Sequence, residues 1–258
     1  GGEPLLRRDV VRMAQSYRLH PGVRDLSVST NGSALARHAK PLKQAGVHRL
    51  NISLDSLDAQ RFAELTRRDV LNDVLQGIEL ARQAQFESIK LNMVIQAETT
   101  LQDIDEMIRF ARERQLILRL IEPMPMGHAA LASTGCDLTL LGAQLASAHG
   151  LIAVQSPSDG GPARYWQDKK TDFSLGVITP MSQHFCGSCN RVRLTVDGRL
   201  LLCLGQEDSV PLGEMMREGA GDQDLVHAIR SGIDKKPERH HFIERPEKVV
   251  RFMSATGG

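Results

Sequence analysis

Over residues 1–122 the chain alternates short β-branched runs with longer amphipathic stretches. Parallel strands need a crossover between them, so this alternation predicts a parallel sheet wrapped by helices. Strands are expected at Asp25-Leu-Ser-Val-Ser-Thr, His48-Arg-Leu-Asn-Ile-Ser, Ser88-Ile-Lys-Leu-Asn-Met-Val-Ile and Leu116-Ile-Leu-Arg-Leu-Ile. Between them, Leu71, Val74, Leu75 and Ile78, and then Ile104, Met107, Ile108 and Ala111, recur at helical spacing. Each strand runs out into polar or glycine residues: Thr30-Asn31-Gly32, Ser53-Leu-Asp55, Gln96 and Glu122. Parallel sheets and barrels bind ligands at the carboxyl ends of their strands, so a site is expected there.

After Gly127 the texture turns to Gly, Pro, Ser and Ala, which places a boundary near residue 130 and divides the chain into 1–130 and 131–258. Downstream, a helix is expected over about 138–149, a loop at 156–162 and a strand at 173–179. The clearest local signal is Arg191-Val-Arg-Leu-Thr-Val, Asp197-Gly198, Arg199-Leu-Leu-Leu-Cys-Leu. Alternating strands around Asp-Gly predict a hairpin closed by a two-residue type I′ turn. Two more helices are expected, near 209–218 and 222–233.

Four cysteines occur, and Cys186, Cys189 and Cys203 share an 18-residue window while Cys136 stands apart. The chain opens on Gly1-Gly2-Glu3-Pro4 without an apolar signal region, so a cytoplasmic location with reduced thiols is expected, where clustered cysteines more often bind metal than pair. The hairpin brings the third thiol back toward the first two. Three thiolates suit a zinc site completed by His184, which spacing alone favours, or an iron–sulfur cluster with one open iron. Three unligated core cysteines are the plain alternative.

Charge narrows the partners further. Lys+Arg number 32 against Asp+Glu 31, aromatics are 4%, and no apolar stretch approaches the roughly 20 residues a membrane helix needs. Neither nucleic acid nor membrane is expected as a partner. Arg191 and Arg193 alternate after Cys189, so period two puts both on one strand face, where they either meet solvent or grip a phosphate. Lys90 and Arg119 interrupt apolar strand runs, where burial demands a salt bridge or a ligand anion. Glycines 1 and 2 allow close backbone approach beside the Glu3 carboxylate. Gly257-Gly258, by composition alone, reads as a frayed end.

Taken together the motifs resemble the MoaA family, the radical S-adenosylmethionine GTP 3′,8-cyclases of molybdenum cofactor biosynthesis. The resemblance runs from Gly1 to Gly258 and rests on Gly1-Gly-Glu-Pro-Leu-Leu-Arg-Arg-Asp, Ser29-Thr-Asn-Gly32, Leu50-Asn-Ile-Ser-Leu-Asp55, Lys90-Leu-Asn-Met-Val-Ile-Gln96 and Arg119-Leu-Ile-Glu122 with Met124. It extends through Gly161-Pro-Ala-Arg-Tyr165, the cysteine hairpin and the Gly-Gly end.

The resemblance implies an α/β fold: an incomplete (β/α) TIM-like radical SAM barrel followed by a C-terminal α+β region with an auxiliary iron–sulfur site. Cys186, Cys189 and Cys203 would hold that auxiliary 4Fe-4S cluster, replacing the zinc preference. Lys90, Arg119, Arg191 and Arg193 would bind GTP. Gly1, Gly2, Glu3, Ser29, Ser53 and Met124 would line S-adenosylmethionine, with Glu3 and the glycines at its amino group, and Gly257 and Gly258 would join Arg191 and Arg193 in the active site. The implied reaction is radical cyclisation of GTP to (8S)-3′,8-cyclo-7,8-dihydroguanosine 5′-triphosphate, consumed by a downstream molybdopterin-precursor synthase step.

The family's radical-cluster motif, Cys-x3-Cys-x2-Cys, does not occur in these 258 residues. The chain by itself is therefore expected not to generate the radical, and the first barrel strands are expected to be missing, leaving a sheet edge open to association, including a homodimer. Two other readings stand beside this one: a non-catalytic zinc-knuckle protein binding nucleotide or nucleic acid, and a radical SAM enzyme acting on a peptide.

Overall fold

The computed structural model describes residues 2–124, 137–155, 161–182 and 186–239. The N-terminal elements run α1 (Val10–Leu19), β1 (Ser27–Thr30), α2 (Leu35–Gln44), β2 (Arg49–Ser53), α3 (Ala59–Thr66), α4 (Leu71–Gln83), β3 (Ser88–Val94), α5 (Leu101–Glu113) and β4 (Ile117–Ile121). There follow α6 (Leu138–Ala148), β5 (Ile152–Val154), β6 (Arg164–Gln167), β7 (Ser174–Ile178), β8 (Arg193–Leu194), β9 (Leu200–Leu201), β10 (Ser209–Val210), α7 (Leu212–Arg217) and α8 (Asp222–Asp234). The expected helix near 209 begins later than the sequence suggests, because Ser209 and Val210 pair with β9 instead.

Seven strands form one sheet in the order β1-β2-β3-β4-β7-β6-β5. β1 through β4 and β7 are parallel; β6 and β5 turn back antiparallel. β7 pairs directly with β4, so the sheet is continuous across residue 130, which itself lies outside the described residues. This is the α/β architecture of an incomplete barrel, with β8, β9 and β10 forming a separate three-stranded sheet.

Helix α5 illustrates why the crossovers form. Thr100 and Asp103 make a reciprocal capping box, and Ile104, Met107, Ile108 and Ala111 then fall on one buried stripe. Against that helical layer the strands bury Leu50, Ile52, Leu91, Met93, Leu118 and Leu120 almost completely. Their alternate positions are half-buried, or exposed at Ser53, and most are polar, namely Arg49, Asn51, Ser53, Ser88, Lys90, Asn92 and Arg119, with Val94, Ile117 and Ile121 apolar. A parallel sheet covered on both faces carries continuous apolar runs, so strict alternation marks one face packed by helices and a second face kept for polar groups. No helix among the described residues is long and apolar enough to cross a membrane.

Candidate functional site

The second face is organised by strand register. Partners in a parallel ladder project to the same side, so Ser29, Asn51 and Lys90 form one row, and Ser53, Asn92, Arg119, Gly176 and Tyr165 the next. Arg119 is the hub. Its Nε donates to Asn92 Oδ1 at 2.8 Å and its Nη2 to Asn51 Oδ1 at 2.8 Å, and the Tyr165 side chain hydrogen-bonds to it as well. Burial is the largest influence on this guanidinium and lowers its pKa, Tyr165 opposes the shift, and the charge of Arg49 adds to it. Its neighbours are amides and a phenol; among the described residues no carboxylate pairs with Arg119. Of the two partners its burial calls for, a salt bridge is not found among the described residues, where neutral acceptors orient the Arg119 fork.

Gly176 makes that arrangement possible. A Cβ there would stand 2.7 Å from Tyr165 Cε1 and 3.1 Å from Arg119 Cγ.

At the carboxyl ends of the strands, backbone and carboxylates knit the rim together. Glu3 Oε1 accepts from the Thr30 hydroxyl at 2.6 Å and from Leu5 N–H at 3.0 Å, while Oε2 accepts from Asn31 N–H at 2.6 Å. Its carboxylate therefore anchors the segment beginning at Gly2 to the end of β1. Glu122, just before the half-buried Met124, accepts from the N–H groups of Met181 and Ser182 at 2.7 and 3.0 Å, joining the ends of β4 and β7. Asp55, two residues beyond the exposed Ser53, accepts from Val94 N–H at 2.8 Å. Burial pushes the Asp55 carboxyl up, against the opposing effect of that hydrogen bond.

The cysteine segment forms the hairpin the spacing predicts, with a different turn. β8 and β9 pair Arg193 with Leu201 and Leu194 with Leu200. Gly198 N–H donates to Thr195 O at 3.0 Å and Thr195 N–H to Arg199 O at 2.9 Å, so the connection is three residues long. Gly198 alone takes the left-handed conformation, at φ +84°, where the two-residue type I′ turn would also require positive φ at Asp197. Val196-Asp197-Gly198 is a type I turn closed by a glycine bulge. The expected Asp-Gly link is corrected accordingly.

Cys186 opens a single 3-10 turn, Cys189 N–H donates to Cys186 O at 3.0 Å, and Cys203 follows β9. All three are free, half-buried thiols. Extending the ladder register by two residues sets Cys203 opposite Arg191. Burial pushes the Cys189 thiol up, but hydrogen bonds from the Arg191 backbone and side chain, with the charges of Arg191 and Lys236, outweigh it and leave the thiol lowered. Cys203 goes the other way: burial raises it, and the charges of Cys186 and Cys189 add to that, against Gly205 N–H and Lys236. β8 covers Arg193 and Leu194 only, so Arg191 precedes the strand. Among the described residues, no three Cys, His, Asp or Glu side chains stand close enough to hold one metal ion.

Gly1, Cys136, His184, Gly257 and Gly258 lie outside the described residues. Register also exposes Asn51, Asn92 and Tyr165, and hydrogen bonding exposes Lys236, which residue-by-residue reading missed. Asn92 carried a usable signal, since period two from Lys90 puts it on the same face. For Asn51 and Tyr165 the signal exists only once the strands are aligned.

Comparison with known proteins identifies the families this chain resembles. Residues 1–111 match the Radical SAM superfamily and residues 116–242 match Molybdenum Cofactor Synthesis C. The GTP 3′,8-cyclase of Ectopseudomonas mendocina (strain ymp) is 44% identical over 263 residues, covering 100% of this chain and 79% of that protein. That of Marinobacter nauticus is also 44% identical with the same coverage, and that of Pseudomonas putida (strain W619) is 45% identical over 264 residues. Among solved structures, Streptococcus suis SuiB bound to S-adenosylmethionine superposes with a TM-score of 0.61 at 13% identity, over 99% of this chain and 64% of that one. SuiB bound to the precursor peptide SuiA gives 0.59 at 13% identity, with the same coverage. The chain thus spans just under two thirds of SuiB, and the likeness is one of fold.

Proposed function

The chain belongs to the GTP 3′,8-cyclase family of radical SAM enzymes, and from that premise we propose that its polar sheet face holds GTP and its cysteine hairpin an auxiliary four-iron cluster. The zinc-knuckle alternative is the weaker reading, because both parts of the chain match enzyme families.

Cys186, Cys189 and Cys203 are the ligands in this reading, and their chemistry fits the group. Three thiolates suit either a zinc site or a cluster with one open iron, and the match to radical SAM and molybdenum cofactor families favours the cluster. The lowered Cys189 thiol favours the deprotonated form that a metal requires.

On the sheet face, Arg119 and Lys90 meet the triphosphate. The Arg119 fork is held rigid by Asn51 and Asn92, leaving donors for phosphate oxygens and a charge that a polyanion neutralises. Arg191 and Arg193, beside the cysteines, complete substrate binding and orient the reacting end, together with Gly257 and Gly258. Gly1, Gly2, Glu3, Ser29, Ser53 and Met124 take S-adenosylmethionine at the strand ends. Three of the roughly four acceptor positions of the Glu3 carboxylate are in use, which leaves one for an ammonium group. When bound, S-adenosylmethionine would supply the carbon radical that begins the cyclisation, with an electron from a reduced cluster whose Cys-x3-Cys-x2-Cys ligands are not among these 258 residues. The chain's own side chains fix the substrate's position and exclude competing reactions.

The observation that carries this reading is the hairpin that brings Cys203 back beside Arg191 and the Cys186–Cys189 turn. Its test is the iron, sulfide and zinc content of the chain reconstituted without oxygen, for the wild type and Cys189→Ala. Roughly four irons with matching sulfide, lost in the variant, are expected. One zinc and no sulfide would overturn the cluster reading.

A further inference from the structure

We propose that Lys236 is a positioning residue for the three-cysteine site: its ammonium bridges the two hairpin arms that carry the thiols and sets the charge around whatever they bind. The inference rests on the cluster reading above and names a part of that site far from the cysteines in sequence.

The geometry is specific. Lys236 Nζ donates to Arg191 O at 3.0 Å and to Leu202 O at 2.5 Å. Arg191 lies two residues beyond Cys189, and Leu202 immediately precedes Cys203. One ammonium therefore ties the arm leaving the Cys186–Cys189 turn to the arm bearing Cys203, at the end of the hairpin where the β8–β9 ladder has already stopped. Nothing in the ladder itself holds the arms at a fixed separation there. The charge of Lys236 also acts on both the Cys189 and Cys203 thiols. An ammonium has three N–H donors, and the two carbonyls leave one for a sulfur or a substrate oxygen.

The fold delivers this lysine through a close helix–sheet contact. Lys236 follows the end of α8, where Lys236 N–H donates to Ile233 O at 2.9 Å. One turn earlier stands the buried Gly232, where a Cβ would lie 2.4 Å from Val210 Cγ2 and 3.6 Å from Leu202 Cδ2. A side chain there would push α8 away from β9 and β10 and carry Lys236 with it.

Outer partners of metal ligands typically change metal retention by roughly 10–100-fold when removed, and a nearby cation favours the more reduced, more negative state of a cluster. The test compares the wild type with Lys236→Met, Lys236→Arg and Gly232→Ala. Two quantities are read on the reconstituted chain: the rate of iron release to a chelator, and the cluster's midpoint potential from its electron paramagnetic resonance signal. In Lys236→Met, release roughly tenfold faster and a more negative midpoint are expected, with Lys236→Arg restoring both and Gly232→Ala reproducing the faster release. Release and midpoint unchanged in Lys236→Met would overturn the proposal. Equal losses in Lys236→Met and Lys236→Arg would overturn it too, because a role in folding alone makes no use of the charge. Should the wild type bind no iron or sulfide, the cluster reading fails by itself. Amide hydrogen exchange on the metal-free chain then judges the bridge: faster exchange in Lys236→Met at residues 191–194 and 202–206 upholds it, and unchanged exchange refutes it.

Discussion

Gly176 lies directly across the β4–β7 ladder from Arg119, and a single added carbon at Gly176 would press against both the Arg119 stem and the Tyr165 ring. The missing side chain is what lets arginine and tyrosine meet over the sheet, so the site's main cation owes its orientation to a residue with no functional group.

Gly176→Ala should therefore disturb the site more than the fold. Overpacking of this kind costs about 1–3 kcal/mol, and the flexible Arg119 stem gives way before the backbone does. GTP affinity is expected to fall about tenfold, equivalent to roughly 1.4 kcal/mol. Equilibrium binding beside a thermal melt checks this. An unchanged affinity with a lowered melting temperature would show the contact to be structural only.

Arg119→Met removes the charge while keeping most of the stem. A hydrogen bond to a charged group contributes about 1.5–3 kcal/mol, so GTP should bind roughly 10–100-fold more weakly. Guanosine, which lacks phosphate, should bind wild type and variant alike. An equal loss for GTP and guanosine would remove Arg119 from the triphosphate.

Asp55→Asn tests the half-buried carboxyl two residues beyond the end of β2. Burial raises its pKa from the ordinary 3.8, so the folded chain keeps a proton that the unfolded chain has released. The stability this proton confers is full below 3.8 and is lost as pH rises through the raised value. Asparagine keeps an acceptor for Val94 N–H without the charge. Denaturant midpoints should accordingly favour the variant at pH 7 and converge toward pH 3.8. Parallel profiles would count against a proton-holding Asp55.

Gly198→Ala probes the corrected turn. Positive φ strains an alanine, and its Cβ would meet Gly213 Cα at 2.7 Å and Gly213 N at 2.9 Å. A loss of about 1–3 kcal/mol is expected, with weaker iron retention because the hairpin sets the third thiol's position. A variant as stable as the wild type, with its iron intact, would rule out this turn.

Local patterns were legible where local physics decides. Apolar alternation placed β2, β3 and β4 to within a residue or two, since strand period and crossover helices are written in neighbouring side chains. The hairpin was legible for the same reason. Its turn type was not: Asp-Gly serves both the two- and three-residue connections, and the choice falls to the strand register beyond it. Arg119 could be marked as an anomaly from sequence, but its partners could not, because Asn92 and Asn51 are 27 and 68 residues away and meet it only through the ladder. Lys236, in a basic stretch with no motif, gave no signal at all.

The sequence by itself determined the succession of strands and helices, the hairpin that separates Cys203 from Cys186 and Cys189, and the resemblance to a family, because each depends on spacing along the chain. Tertiary structure alone decided which polar residues share the second sheet face, which acceptors hold Arg119, and that Lys236 closes the cysteine arms. Those outcomes depend on register and on helix–sheet distance, quantities fixed by packing between segments far apart in sequence.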